Sequence, residues 1–213
     1  MKFKTFKIHN GNFSFEQNIL KKAFNFLIHR NEDISIFSHN KLTSHIEHIV
    51  FHIPDEYITG TKKGGIEASQ PFSQFINLFA VDKTVFIEDI RKNYTSLITE
   101  NLKTKYSITL NECVLENNLI LACLNHYNGN IKQLDLTDRI NQDIIDGIEN
   151  IDLLKTSDFN TKYEIESIAF QATKESSCEF ISLYKSGKIV TDSSTETQIL
   201  ELFEFIGDQI GKY

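Results

Sequence analysis

The sequence predicts an α+β fold, a mixed or antiparallel sheet with helices packed on it. Three observations predict it. Runs rich in Ile, Val, Phe and Thr are bounded by turn residues, as in Tyr163–Ala172, Cys178–Tyr184 and Lys188–Thr191. Two other segments place apolar residues at helical spacing, Phe15/Ile19/Leu20/Ala23/Phe24/Leu27/Ile28 and Ile199/Leu202/Phe203/Ile206/Ile210. The chain has 213 residues with 40% hydrophobic content, enough for one large core or two small ones.

The elements follow in order. Phe3–Ile8 reads as a strand closed by Asn10-Gly11. Ser14 and Gln17 form a capping box for a helix over Phe15–His29. Ile34–Phe37 reads as a short strand. Ser44–Ile53 has two readings. Its Ile-Val-Phe-His-Ile run favours a strand. Ser44 and Glu47 would cap it as a helix with Ile46, Ile49, Val50 and Ile53 on one stripe. Gln70–Asp89 reads as a hairpin turning at Val81–Thr84, with a helix as the alternative, and Asp89–Lys105 as a helix through Ile90, Tyr94, Leu97, Ile98 and Leu102. A strand over Ser107–Leu115, a short buried helix over Asn118–Tyr127 and a strand over Ile131–Leu136 come next. Asp138–Ile151 looks helical, interrupted by Gly147.

Ser157–Lys162 is the expected linker. Residues 1–156 are then an α+β main domain. Residues 157–213 form a β-meander, turning at Lys185-Ser186-Gly187, with a closing helix capped by Ser193 and Glu196 and packed on the same core. The opening β-α-β-β order resembles the start of a ferredoxin-like unit, a fold that often presents a sheet face or loop to RNA.

Net charge is −7, which argues against a protein that coats nucleic acid without specificity. The charge is uneven. Residues 1–63 carry nine Lys/Arg against six Asp/Glu, and the remainder carries 13 against 23. The first third is therefore +3 and the rest −10, so a local basic face can still meet an anion. Cys113, Cys123 and Cys178 are odd in number and scattered, as expected of reduced thiols in the cytoplasm. The N-terminus has no apolar run resembling a signal peptide, and no stretch approaches a membrane span. Abundant Asn, Ile and Lys suggest an AT-rich bacterial or phage genome.

Four of the seven histidines, His39, His45, His48 and His52, crowd into Ser38–Ala68. On a strand, His48 and His52 share a face but stand about 13 Å apart, too far to share one metal alone. On a helix, His45, His48 and His52 fall within about 60° of each other and could converge on one. HExxH and HxH are both absent. One imidazole can still serve as a general acid or base without a motif, so His45, His48 and His52 are the catalytic candidates.

The segment Thr59–Gly65 follows at once. Gly60, Gly64 and Gly65 let a backbone approach a ligand, successive amides can form an anion nest, and Lys62 and Lys63 add charge. It matches neither a Walker A loop nor GxGxxG. Elsewhere no Asp/Glu-x-Lys nuclease core and no GxSxG elbow occur. Glu88-Asp89 and the alternating Glu164 and Glu166 could bind a metal but read as solvated carboxylates. No cofactor or metal site is expected.

The expected function is non-enzymatic binding or assembly inside a bacterial or phage-infected cell. Its partners are a protein complex or a second copy of the chain, with nucleic acid reached through residues 59–65. A protein of this size without motifs also fits phage defence or counter-defence. Two other readings stand beside it: a ferredoxin-like RNA-processing ribonuclease with a histidine acid/base, and a metal-dependent hydrolase.

Overall fold

The computed structural model describes residues 1–13, 33–60, 67–173, 180–192 and 196–212. Its strands are β1 (Lys2–Asn10), β2 (Ser35–Lys41), β3 (Ile46–Gly60), β4 (Glu67–Val81), β5 (Thr84–Glu88), β6 (Thr109–Glu112), β7 (Asn130–Asp138), β8 (Ile144–Asp146), β9 (Tyr163–Gln171), β10 (Phe180–Tyr184) and β11 (Lys188–Thr191). The helices are α1 (Lys92–Tyr106), α2 (Asn117–His126), α3 (Phe159–Lys162) and α4 (Glu196–Gly211), with a 3-10 helix at Ile148–Lys155. Hydrogen-bonded neighbours run β2-β3-β4-β5-β1-β11-β10-β9-β7-β8, and β6 pairs β1 beside that path. The pairings β1·β11, β10·β11, β9·β10, β7·β9, β7·β8 and β2·β3 are antiparallel. The fold is α+β with an antiparallel sheet, as the sequence predicts.

The chain divides into two compact units. One comprises Met1–Lys7, Val81–Phe86 and Asn111–Tyr213, and the other Ile8–Ala80 and Ile87–Leu110. In the first, α4 buries the expected stripe of Ile199, Leu202, Phe203, Ile206 and Ile210. Phe203 stacks on Phe86 at 4.0 Å and takes the edge of Phe3 at 4.8 Å. Such aromatic geometry adds about 0.5–1.5 kcal/mol per pair to the burial itself. The meander β9-β10-β11 turns where expected, with Gly187 at φ 81°. A Cβ there would lie 2.2 Å from the Cys113 carbonyl oxygen, so close approach and left-handed backbone both require glycine.

In the second unit, Ile49, Phe51 and Ile53 of β3, Ile76 and Leu78 of β4, and Tyr94, Ile98 and Leu102 of α1 are buried. Alternate residues of each strand face the core, and the helix presents them one stripe. Residues 46–53 are a strand, because Ile49, Phe51 and Ile53 at period 2 fill this half-buried surface. The β4–β5 hairpin turns at Asp82, which takes φ 51°.

Asp138–Ile151 is not the expected helix. Asp138 ends β7, and its carboxylate accepts the backbone N–H of Ile140 (2.8 Å) and of Asn141 (3.3 Å). That local bond competes with helix formation. Ile140 and Ile144, which a helix would turn to a core, are the most exposed large apolar residues among those described. Ile144–Asp146 instead pairs β7 as a short strand. Nor is Ser157–Lys162 an open connection. It holds α3, whose Phe159 is buried. β1 has β5 and β11 as neighbours while β2 pairs β3. In a ferredoxin-like unit β1 would sit beside a later strand of its own motif. The helix expected over Phe15–His29, its Ser14 cap and the Ser193 cap lie outside the described residues.

Candidate functional site

The histidine segment spreads over β2 and β3. His39 sits opposite Ile49 in the register, so Glu47 is its diagonal neighbour on the same face. His39 Nε2 lies 2.6 Å from Glu47 Oε2, an ion pair when the imidazole is protonated. His45 precedes β3 in an exposed turn, with Nδ1 3.2 Å from Ser44 Oγ. His48 and His52 are four residues apart on one face of β3, about 13 Å. The structure thus assigns each histidine its own place and brings no three of them to one point.

His48 has the most organised surroundings. Its ring lies flat on Phe79, centroids 4.5 Å apart and planes within 7°. Nε2 is 3.0 Å from Asn77 Oδ1. Asn77 Nδ2 in turn donates to Glu88 Oε2 at 2.7 Å, and the Asn77 backbone N–H reaches the same oxygen at 3.2 Å. With Nδ2 spent on a carboxylate, Oδ1 must accept, so His48 carries its proton on Nε2. Glu88, a suggested metal carboxylate, is thereby the end of a hydrogen-bonded chain across β3, β4 and β5. His52 is buried and bonds Ser73 Oγ at 3.0 Å. Burial holds its pKa below the usual histidine value and keeps it neutral at pH 7.

Of the expected anion contacts, Gly60 ends β3. Lys62, Lys63, Gly64 and Gly65 lie outside the described residues, in the segment that connects β3 to β4. The two strands it connects are the unusual feature. Each has 15 residues, whereas β2 has seven and β5 five. β2 covers β3 only from Glu47 to His52. From Ile53 to Gly60, about 26 Å of chain, β3 runs past that neighbour and, among the described residues, forms one half of a two-stranded ribbon with β4. The chain's two prolines, Pro54 and Pro71, both fall on this ribbon. Pro54 has no N–H to offer, which stops the β2 ladder just beyond His52. The root of the ribbon is clamped to α1. Tyr94, itself buried, donates its hydroxyl to Asp55 Oδ2, and Arg91 Nη1 lies 3.3 Å from the same oxygen. These bonds, Tyr94 first, hold the Asp55 carboxyl below the usual carboxylate range. Sequence reasoning missed the clamp, because nothing local in Asp55 or Tyr94 announces a contact 39 residues away.

Glu164 and Glu166 do share a face of β9. Lys185 Nζ sits between them, 2.8 Å from Glu164 and 3.0 Å from Glu166, so an ammonium occupies the position suggested for a metal. Their carboxylates raise the Lys185 pKa, Glu164 first. Among the described residues no group of three or more His, Cys, Asp or Glu is placed to hold a metal ion. Burial pushes the Cys113 thiol up, and Cys123 is pushed up to about 12. Both behave as thiols rather than thiolate nucleophiles at neutral pH. Cys178 lies outside the described residues. No helix among them is long and apolar enough to cross a membrane.

Searches with this chain give no match to a family model and no match to a curated protein. The functional reading therefore rests on the residues alone.

Proposed function

We propose that this is a non-enzymatic, intracellular binding or assembly protein that engages an anionic partner, nucleic acid first, through the β3–β4 ribbon and the Lys62-Lys63 segment connecting its strands. The length mismatch carries the reading: two 15-residue strands run well past neighbours of seven and five residues. A two-stranded ribbon is marginally stable by itself in water, and its edges are open templates for pairing. Proline on the ribbon interrupts that template, and the Tyr94–Asp55–Arg91 clamp fixes its root. An extended arm, protected and anchored in this way, is suited to reaching a partner. The connecting segment supplies two cations and two glycines just after Gly60 ends β3. No residue bears on the narrower expectation of phage defence or counter-defence, and it forms no part of the proposal.

A trimmed chain tests it. Asn-Gly would replace residues 58–69, closing the ribbon with a two-residue turn. Fluorescence anisotropy with labelled single-stranded RNA and double-stranded DNA reads the outcome. The proposal expects binding by the full chain and its loss in the trimmed one at unchanged circular dichroism. Equal binding by both, or by neither, overturns it.

The His48–Asn77–Glu88 chain favours a second reading. An imidazole oriented by Asn77, whose amide is itself fixed by the Glu88 carboxylate, is an arrangement that suits a general base. Metal-independent RNA cleavage that disappears in His48→Ala would establish the ribonuclease and displace the first proposal.

A further inference from the structure

The first unit contains a cleft of about 420 Å³ that the ribbon reading does not use, lined by Val114, Glu116, Asn118, Arg139, Asn160 and Glu164 with Asn117 at its base. Asparagines build its floor. Asn117 is buried and fully committed: Nδ2 donates to the Tyr163 carbonyl (2.9 Å) and to Asn160 Oδ1 (3.2 Å), and Oδ1 accepts the Ile165 N–H (2.8 Å). Asn160 Nδ2 then donates to Asn118 Oδ1 at 3.0 Å. The relay runs donor to acceptor through three amides, which fixes the orientation of each. Asn118 Nδ2 is its last donor and makes no hydrogen bond among the described residues.

The charges around this floor are unevenly answered. Glu164 is met by Lys185 at 2.8 Å. Arg139 makes only long contacts, 3.5 Å to Glu164 and 3.4 Å to the Tyr163 carbonyl, so most of its five donors are unspent. The Glu116 carbonyl accepts the Leu119 and Ile120 N–H groups, but its carboxylate has no ion-pair or hydrogen-bond partner among the described residues. A guanidinium and an amide donor are therefore available on one hand, and a carboxylate on the other. An anion alone would be opposed by Glu116 and Glu164, and a cation alone by Arg139 and Lys185. A molecule carrying both charges satisfies each. Val114, 58% exposed, offers the one apolar surface of the cleft.

We propose that this cleft binds a small zwitterion, a free α-amino acid with an apolar side chain. Its carboxylate would meet Arg139 and Asn118 Nδ2, its ammonium Glu116, and its side chain Val114. Pairing of both charges also gives selectivity, since removal of either leaves a cleft group unanswered.

The probe is leucine, titrated into the full chain by heteronuclear NMR up to about 10 mM, where even a ~1 mM complex is mostly formed. N-acetylleucine lacks the cation and leucinamide the anion. The proposal expects saturable shifts at Asn118, Asn160 and Val114 with leucine, and at least tenfold weaker binding of either blocked compound. Glu116→Gln and Arg139→Gln should each weaken leucine at least tenfold while leaving the spectrum folded. Absence of saturable shifts, or equal binding of the blocked compounds, overturns it. The cleft and the ribbon belong to different units, so failure here leaves the ribbon reading standing, and the converse holds.

Discussion

Tyr94→Phe removes one oxygen from the clamp at the ribbon root and nothing else. The ring stays in its buried place, so no cavity opens. What is lost is a hydrogen bond to the Asp55 carboxylate, a charge-assisted contact of the kind worth about 1.5–3 kcal/mol, and with it a long 3.4 Å contact that the hydroxyl accepts from Arg91 Nη1. Asp55 keeps Arg91 at 3.3 Å and the Glu56 N–H at 2.8 Å, and 23% of its side chain meets water. Those partners reduce the loss to about 1–1.5 kcal/mol. For a chain of this length that is about 2–6 °C in melting temperature. The sign with pH follows from linkage. The folded Asp55 pKa lies below its unfolded value near 3.8, so its contribution is present above that value and is lost as pH falls through the folded one. The gap between the two proteins should therefore be full at pH 7 and narrow below about pH 3.8. Urea melts across pH read the gap, and hydrogen exchange at residues 53–60 should quicken in the variant. A gap under about 0.3 kcal/mol at pH 7, or one that widens in acid, would refute the clamp.

Three further outcomes are expected. Gly187→Ala should cost at least about 2 kcal/mol in chemical denaturation, because a left-handed alanine is strained and its Cβ meets the Cys113 carbonyl oxygen at 2.2 Å; a cost below 1 kcal/mol would show that the turn yields. Cys123, with its pKa near 12, should be alkylated by iodoacetamide at pH 8 only after denaturant is added, and mass spectrometry of native protein showing rapid modification would contradict its burial. The His52 ring should titrate by NMR with a midpoint below 6.5. Its stabilising contribution is then present above pH 6.5 and lost as pH falls through that lower midpoint, and a midpoint above 6.5 would contradict the desolvation.

The fold was legible where one physical signal dominated. The stripe of α4 and the turn at Lys185-Ser186-Gly187 are local patterns, and both stand as read. The strand at residues 46–53 was legible because Ile49, Phe51 and Ile53 alternate, although a capping box at Ser44 offered a competing helix. Asp138–Ile151 misled because spacing of apolar residues says nothing of whether a core awaits them; one carboxylate at Asp138 turned the chain instead. The site was legible only in part. The histidines were found, but their separate partners, Glu47, Ser44, Asn77 and Ser73, lie on turns and neighbouring strands. The ribbon follows from the difference in length between strands, which depends on register and on where Pro54 stops a ladder. The cleft of the first unit was invisible, because three asparagines on α2 and α3 carry no motif.

The central claim is that Lys62 and Lys63 meet the charge of an anionic partner. Its most direct test is the salt dependence of binding to labelled single-stranded RNA by the full chain and by Lys62→Ala/Lys63→Ala. Each lost phosphate contact lowers the slope of log K against log salt by about 0.7. The double variant should therefore bind more weakly at low salt, with a slope shallower by about 1.4. An unchanged slope and affinity would place the contact elsewhere and contradict the claim.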